Sequence, residues 1–185
     1  MGVLAAVAAA LMVAERAGAP VVLALEFKGD LKRESRWLAQ YGQGVCTLVA
    51  AGLMLLLDSR RLRHHLQPGV LLLIVVFGTS LICTILKRLI SRVRPGREDA
   101  GKFLGPTWRH ANFRESFPSS HSASAMAMSL LLAKLYPPAA ILFWALALIC
   151  AALRYLMDAH WPSDVIAGIA VGLAAGAVAW RVMGV

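Results

Sequence analysis

The chain has 185 residues, of which 59% are hydrophobic, and its mean hydropathy is +0.67. These values lie outside the usual range of soluble globular domains and favour a polytopic membrane protein. The formal net charge is +9, and the hydrophobicity recurs along the chain, so a cleaved N-terminal signal peptide does not account for it.

Six apolar runs in chain order predict an all-α fold, a polytopic six-transmembrane-helix bundle that forms one membrane-embedded domain over residues 1–185. A helix needs about 20 residues to cross the hydrocarbon core of a bilayer, so several runs must use flanking residues or form short spans. The first run is the weakest candidate. The runs cover residues 1–14, 42–57, 69–86, 119–133, 138–153 and 165–180.

Two other segments carry simpler predictions. The charged segment 26–37 is typical of a surface loop or a short interfacial helix between the first two runs. In the last run, a glycine recurs at every fourth position, which lets two helices approach closely and predicts packing. These glycines are Gly168, Gly172 and Gly176.

Polar residues are the most informative part of this sequence, because in a membrane protein they mark sites or loops. In a six-span arrangement, the ends of the third and fifth runs and the starts of the fourth and sixth runs lie on one face of the membrane. These ends carry three polar motifs, at residues 87–95 (KRLISRVRP), 118–121 (PSSH) and 154–164 (RYLMDAHWPSD).

The residue types in these motifs predict an anion site. Lys87 and Arg94 are seven residues apart, or two helical turns, so they point the same way if the third run continues as a helix. Arg154 adds a third cation, and Ser119 adds a hydroxyl beside a helix N-terminus with free N–H groups. Together they describe a cradle for an oxyanion, most naturally phosphate.

Two histidines accompany this cradle. His121 ends the PSSH segment, and His160 lies four residues before Asp164, one turn away if the intervening residues begin a helix. Imidazoles in a phosphate site indicate that phosphate is transferred as well as held. Taken singly, Ser119 and Ser120 are typical of a helix N-cap, and a basic residue at the membrane edge is typical of an interfacial side chain. The coincidence of three motifs favours an enzyme that transfers phosphate over these separate structural interpretations.

The motifs resemble the signature of the type 2 phosphatidic acid phosphatase superfamily of integral membrane lipid phosphatases, which reads Lys-x6-Arg-Pro, Pro-Ser-Gly-His and Ser-Arg-x5-His-x3-Asp. They occur here in the same order and spacing, and the six-span layout covers nearly the whole chain. Two positions depart, since Ser120 replaces the Gly and Leu153 replaces the Ser. The matched segments are Lys87-x6-Arg94-Pro95, Pro118-Ser119-Ser120-His121 and Leu153-Arg154-x5-His160-x3-Asp164.

The resemblance implies a role for each matched residue. His160 is the expected nucleophile, which forms a phosphohistidine, and Asp164 is expected to accept a hydrogen bond from its other ring nitrogen. His121 is the expected acid for the departing alkoxide and the later base for water. The expected phosphate ligands are Lys87, Arg94, Ser119, Ser120 and Arg154.

The resemblance also implies metal-independent hydrolysis, so neither a metal ion nor another cofactor is expected. The expected partners are a lipid phosphate and the membrane bilayer, with no nucleic acid and no particular oligomeric state. Phosphatidic acid, phosphatidylglycerol phosphate, an isoprenyl pyrophosphate and a lipid A phosphate all present a suitable terminal phosphate. Two alternatives stay open: a phosphotransferase with a lipid or sugar acceptor, and a non-catalytic anion-binding membrane protein.

The expected localisation is the inner cell membrane, which the chain crosses several times. In the six-span arrangement, 14 Lys and Arg residues lie on the face of the motifs and five on the opposite face. The positive-inside rule would place the motifs in the cytoplasm, whereas the resemblance implies the extracytoplasmic face. Assigning Lys87, Arg94 and Arg154 to phosphate weakens this count without reversing it, and we follow the resemblance in expecting the active site on the extracytoplasmic face.

Overall fold

A computed structural model describes residues 2–18, 25–57, 68–157 and 159–182. Within these ranges the chain is helical, without a β-strand, which confirms the all-α prediction. Short 3₁₀ turns lie at Asn112–Arg114 and Pro137–Ala139. The α-helices are α1 (Gly2–Arg16), α2 (Gly29–Leu38), α3 (Gly44–Leu57), α4 (Pro68–Ile90), α5 (Ser120–Leu135), α6 (Ala140–Leu156) and α7 (Pro162–Val182).

Each predicted apolar run coincides with a helix, and segment 26–37 forms most of α2. In the described part of the chain, three helical segments are long and apolar enough to cross a membrane: Pro68–Ile90, Pro137–Leu156 and Pro162–Val182. The other apolar helices are shorter, since α1 has 15 residues, α3 has 14 and α5 has 16. The chain therefore has the helices of a membrane protein, while the count of six spans stays a prediction.

Helix α5 is the central element, packed against α4, α6 and α7. Its alternating Ala and Ser residues are small, so neighbouring helices can approach from several sides. Ala123, Ala125 and Ala127 are completely buried. The PSSH motif leads into the first turn of α5, so the central helix positions that motif at one end of the bundle.

The three glycines of α7 provide the closest of these contacts. A Cβ atom at Gly168 would lie 2.5 Å from the carbonyl oxygen of Ser119, and one at Gly172 would lie 2.1 Å from that of Ala123. Both distances are too short for a real Cβ contact. The predicted packing role of the glycines is thus confirmed, and it brings the start of α7 against the start of α5.

A long connection between α4 and α5 covers the same end of the bundle. Ser91 ends α4 in the left-handed conformation, with a φ of 48°, and its N–H donates to the carbonyl of Lys87 at 2.8 Å. The chain then doubles back, and the N–H of Ser116 donates to the carbonyl of Arg92 at 3.1 Å. This connection brings the 87–95 motif next to the PSSH motif.

Candidate active site

His160 lies between α6 and α7 and is almost completely buried, with 1% of its surface exposed. Its Nδ1 atom is 2.8 Å from the carbonyl oxygen of Ser116, so Nδ1 carries the proton of the neutral ring. Its Nε2 atom is buried and has no hydrogen-bond partner among the described residues. Nε2 is therefore the atom with a free lone pair.

The surroundings of His160 keep the imidazole neutral. Burial lowers its pKa to about 3, against the opposing effect of Asp164, and the positive charges of Lys87, Arg154 and Arg94 lower it further. A neutral imidazole is the nucleophilic form of the ring. His160 can thus act as a nucleophile over the whole physiological pH range.

The three predicted cations lie near enough to His160 for each charge to lower the pKa of its ring. Lys87 lies in the last turn of α4 and Arg154 in the last turn of α6. Arg94 does not continue α4 as the helical spacing suggested: the helix ends at Ile90, and the turn at Ser91 redirects the chain. The proximity of Arg94 to His160 therefore arises from the fold of the connection and not from helical periodicity.

The arginines keep donors available for a ligand. Arg94 donates from Nη1 to the carbonyl of Ala159 at 3.1 Å and from Nη2 to that of Glu115 at 3.3 Å. The Nε atoms of Arg94 and Arg154 are buried without a hydrogen-bond partner in the described ranges. The Nε atoms of Arg92 and Arg114 are also unpartnered, so the argument for an anion rests on a second property: within the described ranges, Arg94 and Arg154 form no salt bridge with a carboxylate.

The PSSH turn lies beside these cations. Ser119 is the N-cap residue of α5 but makes no side-chain capping bond; its hydroxyl is 3.0 Å from that of Ser122, and its N–H donates to the carbonyl of Asp164 at 3.0 Å. Ser120 begins the helix and has no positive φ. The backbone here does not need the Gly of the family motif.

His121 interacts electrostatically with Arg154, Lys87 and Arg94. Its Nε2 atom is 2.9 Å from the side-chain nitrogen of Gln43, a residue to which the sequence analysis assigned no role. The ring lines a cavity of about 150 Å³ between α3, α4 and α5. His121 therefore lies between the cationic site and this cavity.

Asp164 is fully buried in the first turn of α7, but its partners differ from the expectation. Its Oδ2 atom is 3.8 Å from Nδ1 of His160, which is too far for a hydrogen bond, because the carbonyl of Ser116 accepts the Nδ1 proton instead. Oδ2 accepts hydrogen bonds from the hydroxyl of Ser116 and from the N–H of Trp161. Asp164 thus orients His160 through Ser116 and acts on its charge through space.

Sequence reasoning missed three polar residues that complete this side of the site: Arg92, Glu15 and Ser163. Arg92 donates to both Asp164 and Glu15, and the N–H of Ser163 donates to Glu15 at 2.9 Å. A carboxylate directly after the first apolar run was the available signal for Glu15. No spacing rule links Glu15 to Arg92, which is 77 positions away, or to Ser163, which is 148 positions away.

Comparisons with known proteins identify the family of this chain. The family model of the PAP2 superfamily matches residues 68–185. The lipid A 1-phosphatase of Rhizobium etli is 42% identical over 106 residues, which span 56% of this chain and 45% of that protein. The decaprenylphosphoryl-5-phosphoribose phosphatase of Mycobacterium tuberculosis is 29% identical over 154 residues, 78% of this chain and 76% of that one.

Among solved structures, the transmembrane PAP2 type phosphatidylglycerolphosphate phosphatase of Bacillus subtilis is similar, with a TM-score of 0.67 and 22% identity over 97% of this chain and 90% of that one. This likeness supports the fold. The chain spans less than half the length of the lipid A 1-phosphatase, but the family match covers more than half of the chain and all three motifs. The chain therefore belongs to the PAP2 superfamily.

Proposed function

We propose that this protein is a membrane lipid phosphatase that hydrolyses a terminal phosphate monoester or pyrophosphate through a phosphohistidine at His160. One observation carries the proposal: Nε2 of His160 is buried without a partner among the described residues, and the charges of Lys87, Arg94 and Arg154 act on the same ring. A nucleophilic nitrogen among three cations fits a phosphoryl centre, whose oxygens are negative.

In the first step, Nε2 of His160 attacks phosphorus, and the bond between phosphorus and the lipid oxygen breaks. His121 gives a proton to the departing alkoxide, which leaves as the lipid alcohol. Lys87, Arg94 and Arg154 neutralise the charge on the equatorial oxygens. Ser119 and the first N–H groups of α5 complete the phosphate ligands.

In the second step, water hydrolyses the phosphohistidine. His121, now neutral, takes a proton from the water as its oxygen bonds to phosphorus, and the nitrogen–phosphorus bond breaks. Inorganic phosphate leaves, and His160 returns to its neutral form. Asp164 stabilises the positive charge that the ring carries while it is phosphorylated, from 3.8 Å away.

The substrate class follows from the relatives and from the membrane setting. The named relatives act on lipid A, on decaprenylphosphoryl-5-phosphoribose and on phosphatidylglycerolphosphate. All three present a terminal phosphate attached to a lipid. We therefore assign a lipid phosphate as substrate, with the bilayer as the other partner.

We place the site on the extracytoplasmic face of the inner membrane. Two further basic residues of the motif face serve the fold: Arg88 lies 3.5 Å from Glu115, and Arg92 pairs with Glu15 and Asp164. Five of the 14 basic residues on the motif face thus have a role at the site or in the fold, which leaves nine against five on the opposite face, and the placement follows the resemblance to the family. Labelling of Trp108→Cys, an exposed position, with an impermeant maleimide in intact cells tests this; labelling only after lysis would place the site in the cytoplasm.

Turnover of His160→Ala tests the nucleophile. The purified protein in detergent, with EDTA present, is given phosphatidic acid, phosphatidylglycerol phosphate, an isoprenyl pyrophosphate and a lipid A phosphate in turn. Loss of a covalent nucleophile costs several orders of magnitude in kcat. His110→Gln, which changes an exposed histidine, is the control and is expected to retain activity.

The outcome separates the alternatives. Wild-type protein quenched in alkaline detergent, which preserves a phosphohistidine, is expected to carry labelled phosphate from the substrate, whereas His160→Ala is expected to carry none. More than about a tenth of wild-type turnover in His160→Ala contradicts the mechanism. A phosphorylated lipid or sugar acceptor in place of inorganic phosphate identifies a phosphotransferase, and a folded wild-type protein without turnover identifies a binding protein.

A further inference from the structure

Arg92 is the largest completely buried side chain in the described part of the chain. Nη1 donates to Oδ1 of Asp164 at 2.6 Å and to the hydroxyl of Ser163 at 2.7 Å, and Nη2 donates to Oε2 of Glu15 at 2.7 Å. The guanidinium also lies 5.1 Å from the ring centroid of Trp161. One cation thus bridges two buried carboxylates, and the burial holds it in a single geometry.

Glu15 joins the first helix to the start of α7. Its Oε1 accepts the N–H of Ser163 at 2.9 Å, and its Oε2 accepts the hydroxyl of the same residue at 2.5 Å. Its side chain is 1% exposed. Both oxygens of this carboxylate accept hydrogen bonds, so Glu15 anchors the first turn of α7, the turn that carries Asp164.

These contacts form a continuous chain to the nucleophile. Arg92 fixes Oδ1 of Asp164, and Oδ2 accepts the hydroxyl of Ser116. The carbonyl of Ser116 then accepts the Nδ1 proton of His160. A shift of Asp164 would therefore move Ser116 and rotate the imidazole, while Lys87 and Arg154 lie on other helices and do not depend on this chain.

We propose that Glu15 and Arg92 are positioning residues for the reaction, which hold Asp164 and Ser116 so that Nε2 of His160 is aimed at phosphorus. This inference rests on the proposed function, since it takes His160 as the nucleophile. Glu15 lies in α1, outside the residues 68–185 that match the family. Helix α1 therefore helps to hold the catalytic residues in position, in addition to forming an apolar helix of the bundle.

The test compares kcat with KM in Glu15→Gln, because the amide of Gln replaces one acceptor oxygen by a donor that faces the donors of Arg92 and Ser163. Glu98→Gln changes an exposed carboxylate and is the matched control. We expect kcat of Glu15→Gln to fall at least about tenfold, because small misplacement of a reacting group is costly. KM and the inhibition constant of inorganic phosphate are expected to stay within about twofold.

Glu15→Asp and Arg92→Lys keep the charges and are expected to have intermediate kcat, and they replace Glu15→Gln if that variant does not unfold cooperatively in detergent. Each kcat is calculated per folded molecule, and the folded fraction is taken from the amplitude of the unfolding transition. A kcat within about twofold of wild type, a loss that only mirrors the unfolded fraction, or an equal rise of KM overturns the inference. His160→Ala measured in parallel separates the failures: turnover there contradicts the proposed function, whereas normal kcat in Glu15→Gln contradicts only the positioning role.

Discussion

Arg92 and Arg94 are two residues apart in one segment but have opposite surroundings. Arg92 contacts two carboxylates, those of Glu15 and Asp164. Arg94 contacts two backbone carbonyls and forms no salt bridge within the described ranges. The charge of Arg92 is neutralised by carboxylates of the protein, whereas the charge of Arg94 remains available to a ligand. Counter-charge, more than the type of residue, therefore separates a structural arginine from a substrate-binding one.

The same contrast divides the whole site around His160. On the Nδ1 side, the ring is linked through the carbonyl of Ser116 to a network of hydrogen bonds around Asp164. Three cations whose charges act on the ring, Lys87, Arg94 and Arg154, form no salt bridge in the described part of the chain. A rigid side that orients the ring and a cationic side that accepts an anion are what nucleophilic attack on phosphate requires.

The largest expected effect comes from replacing each of these two arginines by a neutral residue. Arg94→Ala removes one cation from the phosphate and is expected to lower kcat/KM by about 10²–10³, as for loss of a transition-state donor. Its unfolding midpoint is expected to stay near that of the wild type. Arg92→Met leaves two buried carboxylates unpaired and is expected to lower the free energy of unfolding by about 3–5 kcal/mol.

Steady-state kinetics and chemical unfolding in the same detergent measure both variants. Arg33→Lys, at an exposed position paired with Asp30, is the control for each measurement. Equal stability losses in Arg94→Ala and Arg92→Met would break the comparison, since both arginines would then be structural.

His121 sharpens the comparison from the substrate side. If it protonates the leaving alkoxide, His121→Ala is expected to lower turnover of a lipid phosphate by about 10² or more. Turnover of para-nitrophenyl phosphate should fall much less, because the aryl oxyanion leaves without a proton. His160→Ala should impair both substrates alike, and His121→Ala should accumulate an acid-labile phosphoenzyme with the aryl substrate. Equal losses for the two variants on the two substrates contradict these roles.

Much of the catalytic set was predictable from the sequence, because motif residues keep their spacing and each span end lies on a definite face. The positions of Lys87, Arg154 and His160 around one site follow from that logic. The turn at Ser91 was not predictable, since a left-handed Ser has no distinct signature, and so Arg94 was expected on a helix that ends earlier.

The partners of Asp164 were missed for a different reason. Sequence spacing suggested that Asp164 faces His160, but the carbonyl of Ser116 competes for Nδ1, and a backbone acceptor from a distant loop leaves no pattern. Glu15 and Gln43 are likewise brought in by tertiary packing alone. The resemblance to a family signature could not help with Glu15 or Gln43, because both lie outside its motifs.

The rigid side also depends on the packing of α7 on α5. Gly172→Ala places a Cβ 2.1 Å from the carbonyl oxygen of Ala123, and overpacking of this kind is expected to cost about 1–3 kcal/mol of unfolding free energy. Gly78→Ala is the matched control, because no atom lies within 4 Å of its new Cβ. That control should be neutral or stabilised by up to about 1 kcal/mol. Thermal unfolding of both variants in detergent measures the difference.

The smallest expected effect concerns acid. Burial lowers the pKa of folded His160 to about 3, with Lys87, Arg154 and Arg94 acting in the same direction and Asp164 against it, while an unfolded histidine has a pKa near about 6.5. Between these values the unfolded chain binds a proton that the native protein does not, so stability rises with pH and falls on acidification. The loss of stability attributable to His160 is at most about 1.4 kcal/mol per pH unit below about 6.5.

Unfolding of wild type and His160→Asn at pH 7 and pH 5.5 isolates this contribution, because the variant lacks the titrating ring and should lose less stability. Identical pH dependence in the two proteins would mean that His160 titrates alike in the folded and unfolded states, and the ring would then not be held neutral by its surroundings.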